Sequence, residues 1–302
     1  MIGISTWFKE FLKTVDLSMT DAEFIDQRYR LDAFDYYFSW GVKPRDLSVS
    51  LIETGFFKNS FHIDNFGLYQ NSSFGIPVTK KIIENYDAPK SWKFFKEKGC
   101  LCPKFNQPAK QDSWDGIVVA CQYPNDRSIL SVGGKKDYYE FLEKVCKFFG
   151  PKALLKRHPV MTQNFDENKI LDEICLKHGC EIGHFGPSVL KTCEFIYVYN
   201  STYAIDAVSH EKHVFQYTDG YFASSGIVQF TDKKISANLK PLNHRYIDKF
   251  LDFLLWRYCI HYESSPKWVS QIFEDFSRSK EVFRLDENLS YGAFLNERLK
   301  QG

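Results

Sequence analysis

A chain of 302 residues with 39 basic and 38 acidic side chains has a formal charge of +1, so no global field gathers nucleic acid and any anion site must be local. Hydrophobic content of 44% and 17% aromatic residues, with 28 Phe and 17 Tyr, predict a well-filled core and room for two domains, and exclude disorder. Eight cysteines without paired CxxC spacing or a matching histidine set argue against structural zinc; with no stretch reading as a signal peptide, they fit reduced thiols in a cytoplasmic compartment.

The opening MIGISTWFKEFLKTVDL has an apolar side broken by Lys9, Glu10, Lys13 and Asp16, and helical spacing continues through residues 10–34. Helices are expected there, then a short aromatic strand in DYYFSWG (35–41). DLSVSLIETGFF (46–57) and NSFHIDNFGLY (59–69) are apolar runs broken by a polar residue and glycine, the pattern of strand ends facing a cleft. Residues 86–114 turn polar and proline-bearing, which places a domain boundary in NQPAKQDSW (106–114). Beyond it strands and helices alternate: strand 116–123, helix 137–150, strand 152–159, helix 166–179, strand 193–200, helix 201–211, strand 212–218. That alternation predicts a parallel sheet covered on both faces, with ligands outside the carboxyl ends of its strands. After PLNH (241–244) the chain reads as helical to its end. Three segments follow: an N-terminal domain over 1–110, a second domain over 111–245, and C-terminal helices over 246–302 that cross back to the first. No run of eighteen apolar residues occurs, so no membrane span is expected.

The polar residues fall at the predicted strand ends. KALLKRHP brings Lys156, Arg157 and His158 to the tip of an apolar strand that Pro159 then stops, a set of donors suited to a phosphate or, alternatively, a solvated basic loop. In YNSTYAID, Asn200, Ser201 and Thr202 lead from a strand into a helix; their hydroxyls and backbone N–H groups suit an anion, or simply cap the helix. Asp206, about one turn on, suits a ribose diol. CQYPNDRSI offers Gln122, Asp126 and Arg127, and GYFASSGI offers Gly220, Tyr221 and small residues that let backbone approach a ligand. Glu53 and Asp64 are acids within apolar strands, candidates for a general base or for fixing a turn through backbone N–H groups. The sequence holds no GxxxxGK[ST], GxGxxG, HExxH, GxSxG or Asp-x-Asp motif, so a phosphate site made of cations, with no metal, is the expectation.

Taken in order, WGVKP (40–44), ETGFFKN (53–59), DNFGLYQNSS (64–73), VACQYPNDRSI (119–129), KRHP (156–159), NSTYAIDAV (200–208) and GYFASSGIV (220–228) resemble the motifs of bacterial capsule-polysaccharide Kdo transferases over roughly residues 36 to 230. The resemblance implies an α/β GT-B fold: two Rossmann-like domains, a nucleotide-sugar cleft between them, and metal-free catalysis. It puts Lys156 and His158 at the donor phosphates, Ser201 and Asp206 at the nucleotide, and Gln122 and Asp126 on the family's Gly-Gln and Asp positions, with Cys121 replacing the glycine. The family's Glu-Asp pair, whose aspartate is thought to be a covalent nucleophile in a retaining reaction, is here Glu53 and Thr54. Ser224 and Ser225 replace a glycine and a tryptophan of the donor loop. These departures also resemble the small chlorovirus glycosyltransferases that decorate a capsid glycan, which implies UDP-xylose as donor, a glycan or glycoprotein acceptor and an inverting reaction with Asp64, then Glu53, as base. Two alternatives stay open: a retaining transferase using CMP-Kdo, with Glu53 in place of the aspartate, and a non-catalytic glycan-binding scaffold.

Overall fold

The computed structural model describes residues 2–5, 22–25, 36–40, 49–64, 68–101, 113–159, 161, 164–263 and 287–301, those up to residue 50 as backbone only. Two compact units result, one from Met1–Lys104 with Asp248–Gly302, the other from Phe105–Ile247. Both are α/β and Rossmann-like.

The first unit holds strands β1 (Ile2–Ser5), β2 (Ala22–Ile25), β3 (Tyr36–Trp40), β4 (Val49–Thr54) and β5 (Ser60–Asp64) and helices α1 (Pro77–Glu84) and α2 (Trp92–Glu97). The second runs through β6 (Ile117–Ala120), α3 (Arg127–Leu130), α4 (Gly134–Phe149), β7 (Ala153–Lys156), α5 (Phe165–His178), β8 (Glu181–Gly183), α6 (Val189–Thr192), β9 (Phe195–Val198), α7 (Tyr203–Val208), β10 (His213–Gln216) and β11 (Gln229–Phe230). The division between units falls inside α8 (His244–Phe253); a π turn (Leu254–Tyr258), β12 (Cys259–His261) and α9 (Tyr291–Gln301) then complete the first unit.

The second unit's sheet has the order β11-β10-β9-β6-β7-β8 and is parallel throughout. Counted from β6, that is the Rossmann order 3-2-1-4-5-6, with its reversal between β6 and β9. Both faces are buried. Val119, Leu155, Tyr197 and Phe215 pack with Phe141, Leu142 and Val145 of α4, while Val118, Leu154, Ile196 and Val214 on the opposite face are equally enclosed. The aromatic content is concentrated in this core: Tyr197 stacks on Phe215 with centroids 4.9 Å apart, and Phe141 lies 4.8 Å from Tyr217 and 5.6 Å from Tyr199. The phenols still find partners, Tyr199 donating to Asp137 (2.7 Å) and Tyr197 to the Ser236 carbonyl (2.6 Å).

The first unit's sheet has the order β12-β5-β4-β3-β1-β2, parallel from β2 to β4 and antiparallel at β4–β5 and β5–β12. Three strands depart from the sequence expectation. Helical spacing in the first 34 residues meets strands at Ile2–Ser5 and Ala22–Ile25, and the supposedly helical C-terminal stretch contains Cys259–His261. Each is a short piece held by ladder bonds to residues distant in the chain, which local spacing does not register. The rest of 6–21 and 26–35 lies outside the described residues. Among the described residues, no helix is long and apolar enough to cross a membrane.

Phe141 is fully buried among four tyrosine rings, those of Tyr138, Tyr197, Tyr199 and Tyr217. Phe141→Ala should therefore cost about 3–5 kcal/mol, read as a lowered urea midpoint.

Candidate functional site

Because β6, β7, β9 and β10 are parallel, their carboxyl ends share one edge, and the chain leaves that edge at Gln122, Lys156, Asn200 and Gln216 to Gly220. At the reversal between β6 and β9 two buried amides meet. Gln122 Nε2 donates to Asn200 Oδ1 (2.9 Å) and the Asn200 backbone N–H donates to Gln122 Oε1 (3.1 Å). Asn200 Nδ2 also donates to the carbonyls of Ser128 (2.7 Å) and Asp219 (3.1 Å). A Cβ on Gly220 would sit 2.7 Å from the Asn200 Cβ, so only glycine lets the loop after β10 close over this node. Gln122 and Asn200 thus set the floor of the edge, their polar atoms turned to protein partners.

Lys156, the last residue of β7, is buried, with Nζ 4.9 Å from the Tyr203 ring centroid. Burial holds its pKa below the ordinary lysine value, while the Asp206 carboxylate pulls the other way. Lys156, Tyr203 and Asp206 therefore form one group. The Tyr203 hydroxyl is buried without a hydrogen-bond partner among the described residues, and burial pushes its pKa well up. Cys121, standing where the resembling family has glycine, is sealed in the core with its thiol pushed up to about 12, unsuited to nucleophilic work.

The other predicted donors have mixed settings. Arg157 is turned onto α5, where its guanidinium bonds Asn168 and Asp172, and its backbone N–H donates to Gly183 O (2.8 Å). His158 is half-buried beyond it. Ser201 Oγ accepts from the Tyr203 N–H (3.2 Å), and Thr202 and Asp206 are half-buried. Asp126 caps α3 by accepting from the Ser128 N–H (2.8 Å); Arg127 is exposed, and Tyr221 is buried.

In the first unit the two candidate acids differ sharply. Asp64 is 1% exposed, and its Oδ2 accepts from Ser73 N–H (2.9 Å), Ser73 Oγ (2.7 Å) and Tyr258 OH (2.7 Å). It ties β5 to the turn at Ser73–Gly75 and to the π turn that delivers Tyr258. Glu53 is half-buried. Its Oε1 accepts from the Thr54 N–H (2.8 Å) and Thr54 Oγ1 (3.0 Å), whereas Oε2 takes only a long 3.4 Å contact from Tyr69 OH. Directly across the strand pair is His62, fully buried and clustered with Phe56 (5.1 Å) and Tyr258 (4.9 Å), which also stack on each other (5.9 Å). His62 was not singled out in the sequence, although the two-residue alternation of FHID puts it on the Glu53 face.

No family model and no curated protein matches the chain. Among solved structures it is similar to the Thermosulfurimonas dismutans KpsC beta Kdo 2,7 transferase, with a TM-score of 0.59 at 17% identity over 86% of this chain and 92% of that one. The beta Kdo 2,4 transferase of the same KpsC aligns with a TM-score of 0.57 at 13% identity, over 91% of this chain and 97% of that one. The likeness is one of fold. It establishes the GT-B architecture of paired Rossmann-like units for this chain.

The Asp64 geometry makes a prediction that a purely catalytic acid would not. Asp64→Ala orphans three buried donors and should destabilise the protein by about 3 kcal/mol or more in urea unfolding. Glu53→Gln, with one oxygen in a long contact, should leave the midpoint nearly unchanged.

Proposed function

We propose that the chain is a nucleotide-sugar-dependent glycosyltransferase that moves a sugar onto a glycan hydroxyl without a catalytic metal. The single observation that carries this reading is the buried Lys156 amino group, set beside Asp206 and Tyr203 at the carboxyl edge of a 3-2-1-4-5-6 sheet. Ligands of such sheets bind at that edge. The unit of residues 105–247 takes the nucleotide and the other unit takes the acceptor. Lys156 and His158 neutralise the diphosphate, Ser201 and Thr202 donate to it, and Asp206 accepts from ribose hydroxyls. Arg157, committed to Asn168 and Asp172, orients the Lys156–His158 segment instead of binding phosphate.

Glu53 is the better general base, in preference to Asp64. Its Oε2 is the less occupied oxygen and can accept the proton of the acceptor hydroxyl, whose oxygen attacks the anomeric carbon. The bond from that carbon to the diphosphate breaks, its electron pair leaves with the phosphate, and Lys156 stabilises the charge that develops. With Thr54 in place of a carboxylate nucleophile, a single displacement with inversion follows. UDP-xylose is the proposed donor, on the strength of the replaced donor loop, where the Ser225 hydroxyl turns inward to the Phe222 carbonyl (2.7 Å). The fold likeness to Kdo transferases favours a second reading, with CMP-Kdo as donor.

Incubation with UDP-xylose or CMP-Kdo, with donor consumption followed by chromatography, separates the two. Glu53→Gln should lower turnover about 100-fold or more with UDP affinity retained; unchanged turnover would remove Glu53 from the mechanism, and absence of turnover with every donor would favour the scaffold.

Lys156 gives a pH signature. Burial makes it lose its proton below the ordinary 10.5, and a neutral amine cannot balance a diphosphate. UDP affinity should therefore fall as pH rises toward that value, at lower pH than for an exposed lysine. Lys156→Met should weaken UDP binding about 10- to 100-fold and flatten the pH dependence, both read by calorimetry.

A further inference from the structure

The first unit contains a cavity of about 390 Å³ away from its two candidate acids, lined by Lys58, Asn59, Cys100, His261, Phe294 and Arg298 among others. That volume is in the range of small-molecule sites. Its chemistry is one-sided. No lining residue is an Asp or Glu, and among the described residues neither Lys58 nor Arg298 is paired with a carboxylate. Both cations are exposed, so each can turn to a ligand.

The walls are fixed. Asn59 holds the tight turn between β4 and β5 with a left-handed φ of 57°, and Tyr291 OH donates to the Lys58 carbonyl (2.9 Å). His261, the last residue of β12, lies parallel to Phe294 with centroids 3.6 Å apart. Its Nδ1 accepts from the Glu263 N–H (3.0 Å), so the ring proton is on Nε2 and the imidazole is a donor. Burial and the nearby Arg298 hold its pKa down to about 4, which keeps it neutral while it donates. A rigid aromatic wall, two amide- or imidazole-type donors and two mobile cations match a sugar that carries an acidic group.

The register relates this cavity to the proposed base. Glu53 is opposite His62, His62 is opposite Cys259, and His261 is two residues further along β12 on the same face. At about 3.3 Å per residue and 4.8 Å between strands, the two positions are roughly 12 Å apart, the span of a short oligosaccharide, which would have to pass over the aromatic cover of the buried His62 and Cys259.

We propose that this cavity binds the carboxylate or phosphate of an acidic sugar, as the subsite for the acceptor unit neighbouring the one that is glycosylated. The acceptor role rests on the glycosyltransferase reading; the binding does not. Calorimetric titration of the full chain with glucuronate, glucose 6-phosphate and glucose tests it. At least one charged sugar should saturate the protein, the tighter of the two identifying the anion, and glucose should not bind. Lys58→Ala and Arg298→Ala should each weaken that binding at least tenfold and leave UDP affinity unchanged. In the wild-type chain the bound charged sugar should slow iodoacetamide labelling of Cys100, followed by peptide mass, which glucose should not. No saturation by either charged sugar, equal binding of glucose, or unaltered affinity in both variants overturns the proposal. Charged-sugar binding without turnover of any donor would sink the transferase reading and keep the cavity, whereas turnover without such binding would do the reverse.

Discussion

The amide pair Gln122–Asn200 is the constraint on which the candidate donor edge depends. In a doubly wound sheet the loops after the first and fourth strands depart to opposite faces, and the crevice between them has no side chain of its own to define its depth. Here the two amides bond to each other across that crevice, and Asn200 also fixes the Ser128 and Asp219 carbonyls. Three loops, those after β6, β9 and β10, are thereby held in register, and Gly220 is required because any Cβ would strike Asn200. With those loops set, Lys156 and Asp206 have fixed places relative to the backbone.

This explains which parts of the edge were legible in the sequence. Four strands of the second unit, β6, β7, β9 and β10, and their polar termini appear as apolar runs stopped by Gln, Lys and Asn, because a doubly covered parallel strand is apolar on both faces, whereas the short, partly exposed edge strands β8 and β11 leave no such run. What a residue does at such a terminus is not legible. Gln122 and Asn200 read as ligand groups but are bonded to protein, since their partners are 78 residues apart in the chain. Arg157 read as one of three equivalent cations. Its neighbour in sequence, Lys156, points to Tyr203, whereas Arg157 points to α5, because adjacent residues leaving a strand point to opposite sides.

The same limit separated the two acids of the first unit. Both sit in apolar strands near glycine, and the sequence reading puts Asp64 ahead of Glu53 as base. Asp64 follows β5 inward, where Ser73 and Tyr258 saturate one oxygen; Tyr258 comes from 194 residues away, through a π turn that local spacing presents as ordinary helix. An acid with that many donors is held in a single orientation and gains little from moving a proton. Glu53 keeps an oxygen in weak contact, and the neighbour that fixes it is the adjacent residue, Thr54.

Thr54 also bears on the chemistry. In a double displacement the residue at this place must attack carbon as a carboxylate and later leave; a threonine hydroxyl would need a base to attack, and the glycosyl ether it formed would be a poor leaving group. Its hydroxyl instead donates to Glu53, an arrangement that orients a base but removes a nucleophile. The substitution and the hydrogen bond are consistent with each other under a single displacement and conflict under a double one. Under the proposed reading, a retaining reaction on this scaffold would require Glu53 itself to attack, through the oxygen that Tyr69 only loosely contacts, while Oε1, as the ester carbonyl, kept the two donors of Thr54. Either route leaves those two hydrogen bonds on Oε1, so in the proposed reaction the preference for inversion rests on Thr54 standing where a double displacement needs a carboxylate.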